Sequence, residues 1–237
     1  MKNLTLSFDN GPDPECTPQV LTILAERDIK ASFFVCAKGN TVHPALSATT
    51  PEALAVLEEV QRQGHWIGNH TLTHTLELGT TNDIEAIERE IGSAQEMLGD
   101  FVSEHRFFRP YMGGGFLNER CFGPEAVKYL CDNNYTSVLF NCVPRDWEIP
   151  ETWPEQTFEE GKDLDWMLLI THDVALTGAM KQLPRFLDKC IDDGIEIVQE
   201  FPPDCTPILN GELVGSLNGL LCGDTPLAPS EHAVRSH

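Results

Sequence analysis

The sequence predicts an α/β protein, a (β/α) barrel of about seven parallel strands. Two observations carry this. Apolar runs of strand length alternate strictly with helical patterns, which implies parallel strands joined by crossover helices. Polar side chains also fall at the ends of different strands: Asp9, His70, Arg109, Asp146 and His172. An open doubly wound sheet fits the alternation equally well. It would spread five such groups along a wide edge, whereas a barrel converges them on one mouth.

The elements follow in order. Leu4–Phe8 is the first strand, and Thr17–Asp28 a helix with Val20, Leu21, Ile23 and Leu24 on one face. Ala31–Val35 is the second strand. Pro51–Gln63 is helical, with proline at its start and Gly64 after its end. His65–Gly68 is the third strand. Asn82–Leu98 has the strongest helical pattern, capped by Asn82 and stopped by Gly99. Arg106–Arg109 is strand four, Pro124–Asn133 a helix, Thr136–Asn141 strand five and Met167–Thr171 strand six. Ala179–Asp193 reads as a helix kinked at Pro184, and Ile195–Gln199 as strand seven.

The chain has 237 residues, enough for one large core. Its formal charge of −21, from 16 basic and 37 acidic side chains, repels nucleic acid and anionic membranes. No apolar stretch approaches the roughly 20 residues of a membrane span. A strand pattern beginning at Leu4 leaves no room for a signal peptide, so the expected location is the cytoplasm. The eight cysteines form no Cys-x-x-Cys pair and read as reduced thiols.

Two constellations carry chemistry. His70 and His74 are four residues apart, the spacing at which two imidazoles share a helix face and one metal ion. Asp9-Asn10 ends a strand ahead of Gly11-Pro12, in a tight turn. Asp9 can take a proton from water, and Asn10 can offer an amide oxygen to a cation. Together they suggest a hydrolytic metal site with a position open to water. Taken singly, each feature has an ordinary explanation: surface histidines, a turn-capping aspartate. Arg109, buried in a barrel mouth, would need an acid partner, and Asp9 is the obvious one. Asp146 beside His172 would orient that imidazole and make it more basic, as a general acid requires.

These residues resemble the motifs of the polysaccharide deacetylases, the carbohydrate esterases with NodB homology. The family's Thr-Phe-Asp-Asp-Gly-Pro is seen as Ser7-Phe8-Asp9-Asn10-Gly11-Pro12, and its His-Ser/Thr-x-x-His as His70-Thr71-Leu72-Thr73-His74. Arg109-Pro110-Tyr111 approximates Arg-x-Pro-Tyr, one residue short. Asp146-Trp147 and Leu168–His172 complete the set in family order. The resemblance implies a distorted (β/α) barrel that removes N- or O-acetyl groups from sugars with zinc or a similar divalent ion. It implies Asp9 as base, His172 as acid, Arg109 orienting Asp9 and Asp146 tuning His172. The backbone N–H of Tyr111 would stabilise the oxyanion. Asn10, His70 and His74 would hold the metal. Asn10 departs from the family's usual aspartate and should hold the ion less tightly.

Two other functions stay open at this point: hydrolysis of a cyclic amide or imide, and carbohydrate binding without catalysis. The partner is expected to be an acetylated carbohydrate. Residues 142–166 form a long connection carrying three tryptophans. Trp147 and Trp153 are expected on the cleft wall, Trp166 in packing. The barrel is expected to occupy residues 1–200. Residues 201–237, rich in Pro and Gly, form an extension packed on the barrel or mediating an oligomer.

Overall fold

A computed structural model describes residues 1–39, 50–102, 105–174 and 179–223. Six parallel strands lie in the order β5-β4-β3-β2-β1-β6: β1 (Asn3–Asp9), β2 (Ser32–Val35), β3 (Trp66–Asn69), β4 (Phe107–Phe108), β5 (Thr136–Ser137) and β6 (Trp166–His172). A seventh strand, β7 (Glu196–Val198), pairs with the start of β1, below the point where β2 joins it. Beyond β5 the chain runs on until Cys142 bridges Leu169 of β6. The sheet thus curls into an incomplete barrel, as the alternation predicts. Strands four and five are much shorter than their apolar runs suggest, because regular pairing lapses where residues 138–142 cross towards β6.

Alternation along β1 divides the core. Leu4, Leu6 and Phe8 join the outer cluster with Val20, Leu21 and Leu24 of α1 (Thr17–Ala25) and Phe186 and Leu187 of α7 (Leu183–Asp192). The inner cluster is Phe34, Phe107, Val138, Phe140, Leu168, Ile170 and Cys205. Phe201 packs against it, with ring centroids 5.0 Å from Phe107 and 5.5 Å from Trp66. The described part of the C-terminal segment therefore contributes to the barrel's floor. It also forms the β8 (Ile208–Leu209)–β9 (Glu212–Leu213) hairpin. Residues 224–237 lie outside the described residues.

The helices differ from the sequence pattern in instructive ways. α2 (Pro51–Arg62) is capped by Thr50, whose hydroxyl accepts from the Ala53 N–H. Asp83, not Asn82, caps the long helix; its carboxylate accepts from Glu85 N–H at 3.0 Å. That helix runs as α3 (Ile84–Glu88), a π-turn (Arg89–Ser93) and α4 (Ala94–Leu98). Pro184 does not kink α7 but starts it, where a missing N–H costs nothing. α5 (Pro124–Asp132) packs on α3. All eight cysteines are free thiols. Among the described residues no helix is long and apolar enough to cross a membrane.

Within residues 142–166 lies α6 (Trp153–Glu160). Trp153 is fully buried, 4.8 Å from the Phe186 ring, and takes no part in a cleft wall. The expectation for this residue is overturned, since its indole fills the space between α6 and α7. Trp153→Ala should cost about 3–5 kcal/mol. Urea unfolding would measure it, and a loss below about 1 kcal/mol would contradict the packing role.

The turn after β1 is held from beneath by Asp173, just beyond β6. Its carboxylate accepts from the Thr17 hydroxyl at 2.5 Å. A Cβ on Gly11 would come within 2.4 Å of the same carboxylate, so only glycine fits there. Burial pushes the Asp173 pKa up to about 7, against the Thr17 hydrogen bond and the nearby His172. A folded pKa above the unfolded one means stability is lost as pH rises, from about 4 to about 7. Asp173→Asn should remove that component. The parent-minus-variant stability should fall by an amount on the order of 2–4 kcal/mol between pH 4 and 8. Parallel stability curves from denaturant titrations would refute this.

Candidate active site

β1 delivers Asp9 and β6 delivers His172, and the two are register partners on adjacent strands. Each has its own buried partner. Arg109, fully buried just past β4, donates from one guanidinium nitrogen to Asp9 Oδ1 at 2.6 Å and to Ser7 Oγ at 2.8 Å. Its remaining N–H groups reach the carbonyls of Val138 (3.1 Å) and Leu139 (3.2 Å). The guanidinium lies 3.8 Å over the Phe34 ring.

His172 is tied to Asp146 twice. Its Nδ1 lies 2.8 Å from Asp146 Oδ1, and its backbone N–H donates to Oδ2 at 3.0 Å. The acceptor assigns the ring proton to Nδ1, leaving Nε2 for a second proton. Burial opposes the charged imidazolium. Asp146 outweighs it, helped by Asp9 and Asp173, and the His172 pKa is raised. Trp147 packs edge-on against this ring at 5.1 Å. A Cβ on Gly115 (φ 74°) would lie 3.0 Å from the Trp147 indole, so the Gly113–Gly115 run can pass close beneath it. Trp147 is thus at the site, unlike Trp153.

His70 and His74 do not share a helix face. They lie in an irregular loop after β3, with Thr71 and His74 at positive φ (71° and 54°). The two rings nevertheless meet, with centroids 4.9 Å apart. The turn therefore does what a helical spacing was expected to do. His70 Nδ1–H donates to the Arg109 carbonyl at 2.9 Å, which turns Nε2 towards Asp9 Oδ2, 3.5 Å away. Burial lowers the His70 pKa and keeps the imidazole neutral, the form that ligates a metal. Tyr111 packs edge-on against His74 at 4.4 Å.

Asn10 sits at φ 76°, a left-handed conformation that asparagine tolerates. Its Oδ1 is buried with no hydrogen-bond partner among the described residues. A buried orphan oxygen is costly unless something occupies its lone pair. A divalent cation would satisfy such an amide oxygen. Among the described residues no three His, Cys, Asp or Glu side chains gather as a metal site. Asp13, the other acid of this turn, instead accepts from the N–H groups of Glu15 and Cys16 at the start of α1.

Sequence reasoning did not single out Ser7 and Glu90. Ser7 stands two residues before Asp9 on the same strand face, which is the signal for an interior hydroxyl. Glu90 is an acid on the buried stripe between Ile87 and Ile91. Its carboxylate meets Thr73, inside the histidine loop.

Comparison with known proteins bears on the family and the fold. The polysaccharide deacetylase family model matches residues 1–123. A peptidoglycan-N-acetylglucosamine deacetylase of Bacillus cereus is 32% identical over 176 residues, 73% of each chain. A chitooligosaccharide deacetylase of Rhizobium leguminosarum bv. trifolii is 41% identical over 151 residues, 63% of this chain and 61% of its own length. A family 4 acetyl xylan esterase of Clostridium thermocellum, solved with a cobalt ion, superposes with a TM-score of 0.65. That match covers 84% of this chain and 88% of the other at 22% identity, a likeness of fold. The chain belongs to the polysaccharide deacetylase family.

Proposed function

We propose that this protein is a divalent-cation-dependent hydrolase that removes acetyl groups from an acetylated oligosaccharide, with N-acetylglucosamine units as the favoured substrate. The observation that carries the reading is the β1–β6 register. It sets an acid–arginine pair and an acid–histidine pair side by side at one end of the barrel. The relatives named above act on N-acetylated glycans, and the cyclic-amide alternative gives way to that likeness. The eight free thiols favour a reducing compartment.

Asn10 Oδ1, His70 Nε2 and His74 would hold the cation, and zinc suits two imidazoles with an oxygen donor. When bound, the cation supplies Lewis acidity towards water and the acetyl carbonyl. Asp9 is the general base. Arg109 occupies one carboxylate oxygen, which leaves Oδ2 to take a proton from the attacking water. The water oxygen forms a bond to the acetyl carbon, and the Tyr111 N–H donates to the oxyanion. His172, with its pKa raised, gives a proton from Nε2 to the sugar nitrogen as the carbon–nitrogen bond breaks. Acetate and the free amine leave. Asp146 holds the ring throughout, so the proton is given up from one nitrogen only.

Zinc-loaded protein should release acetate from N-acetylglucosamine oligomers, and a chelator should stop it. No release from any acetylated oligosaccharide would overturn the reading. Asp9→Asn and His172→Ala should each lower kcat by about 10²–10⁴-fold while the fold persists. Near-parent turnover in either would mean the roles are wrongly assigned. Asn10→Asp should tighten zinc binding, because a carboxylate adds charge where an amide offers a dipole. Calorimetry giving equal or weaker affinity would remove Asn10 from the ligand set.

A further inference from the structure

We propose that the π-turn Arg89–Ser93, through the Glu90 carboxylate, is the device that holds the His70–His74 loop ready for its cation. The inference rests on the cation site proposed above and assigns Glu90 a positioning role outside it.

An irregular loop cannot fix two imidazoles by its own hydrogen bonds, and this one is fastened from the π-turn between α3 and α4. The Glu90 carbonyl accepts from Leu72 N–H at 2.9 Å. The Ile91 carbonyl accepts from the Asn69 side-chain amide at 2.9 Å, while Asn69 Oδ1 accepts from Thr71 N–H at 2.9 Å. Both carbonyls belong to the widened turn, and that of Ile91 is shared, accepting from Ala94 N–H within the helix as well as from the loop. The Glu90 carboxylate accepts from Thr73 N–H at 3.0 Å, and its oxygens lie 3.0 and 2.9 Å from the Thr73 hydroxyl. Residues 69, 71, 72 and 73 are thereby pinned on both sides of His70 and up to His74. The Thr71 hydroxyl then accepts from His74 N–H at 3.1 Å and sets its positive φ.

Glu90 is only 2% exposed, and its nearest cation, Arg89 Nε, stands 3.8 Å away on a largely exposed side chain. Burying a carboxylate against neutral donors is an expensive way to stabilise a helix. Among the described residues the hydrogen bonds of its carboxylate all go to Thr73 in the histidine loop, which is what the cost obtains. Partners that orient metal ligands typically govern metal affinity by about 10–100-fold.

The test measures zinc affinity by chelator competition and the visible spectrum of the cobalt-substituted protein. Glu90→Leu should weaken zinc binding about tenfold or more and alter the cobalt spectrum. Glu90→Gln keeps an acceptor for Thr73 N–H and should stay within about threefold of the parent. Ile87→Ala, in the same helix but packed in a different core cluster, should lower the unfolding temperature and leave zinc affinity unchanged. Thr73→Val should show a smaller loss in the same direction, and it carries the test if Glu90→Leu does not fold. Parent-like zinc affinity in Glu90→Leu, or in Thr73→Val where only that variant folds, overturns the inference. So does an equal loss in Ile87→Ala. A parent protein that binds neither ion overturns the cation site itself, and the inference with it.

Discussion

The buried Arg109–Asp9 pair is the constraint on which the rest of the site depends. A guanidinium with no exposure must place its N–H groups on acceptors or the barrel cannot close around it. Here the acceptors come from two different walls. Val138 and Leu139 supply carbonyls from the segment after β5, and Ser7 and Asp9 supply oxygens from β1. Burial works to lower the Arg109 pKa, and Asp9 is the main counterweight. Removing one partner of such a pair typically costs about 3–5 kcal/mol, because the other is left charged and unpaired. Arg109 therefore holds the barrel where strand pairing is thinnest, and the same contact fixes one carboxylate oxygen of Asp9. Structure and chemistry are coupled through one side chain.

The column beneath it explains why the mouth lies at one end. Phe201 and Phe107 seal the floor, Phe34 lies above them, and the guanidinium stacks on Phe34. The Arg109 carbonyl also accepts the His70 ring proton, so the residue that orients the base sets the tautomer of the neighbouring imidazole too. On the other side Asp146 does the equivalent for His172. Two carboxylates of like chemistry thus serve opposite ends. One, beside a guanidinium, has an oxygen left over for the proposed role of base; the other raises the pKa of the histidine proposed as the acid.

Much of this was legible in the sequence, for identifiable reasons. Alternation and strand-end polarity carry the barrel, since period and register are local properties of the chain. The Asp9–Arg109 and Asp146–His172 pairings follow from charge balance, since a buried ion needs its opposite. The loop conformation of His70–His74 was not legible. Positive φ at Thr71 and His74 goes with Thr71 N–H donating to Asn69 Oδ1 and His74 N–H donating to the Thr71 hydroxyl, while Thr73 N–H donates to Glu90; the importance of Asn69 and Glu90 appears only once the chain is folded. Trp153 misleads for a similar reason. A tryptophan in a long connection looks available for a ligand until that connection folds into a helix against α7. The π-turn leaves no trace in periodicity, because the buried residues Ile87, Ile91, Ala94 and Leu98 keep helical spacing across it.

If Asn10 belongs to the proposed cation site, it alters the electrostatics of the mouth as much as the donor set. Two buried pairs stand here: Asp9 with Arg109, and Asp146 with His172, whose pKa that carboxylate helps to raise. Asp173 adds a neutral acid below about pH 7. An aspartate at position 10 would add a negative charge with no counter-ion at a residue only 5% exposed. That charge would strain the empty mouth and be relieved when a cation binds, so occupancy would be coupled strongly to stability. An asparagine removes the imbalance and leaves only an orphan oxygen. The empty mouth is then tolerable, and the attraction for the cation is smaller by the same physics. The left-handed backbone at this position suits either side chain. The choice between them therefore lies with charge, and it sets how firmly the cation is held rather than whether the turn can form.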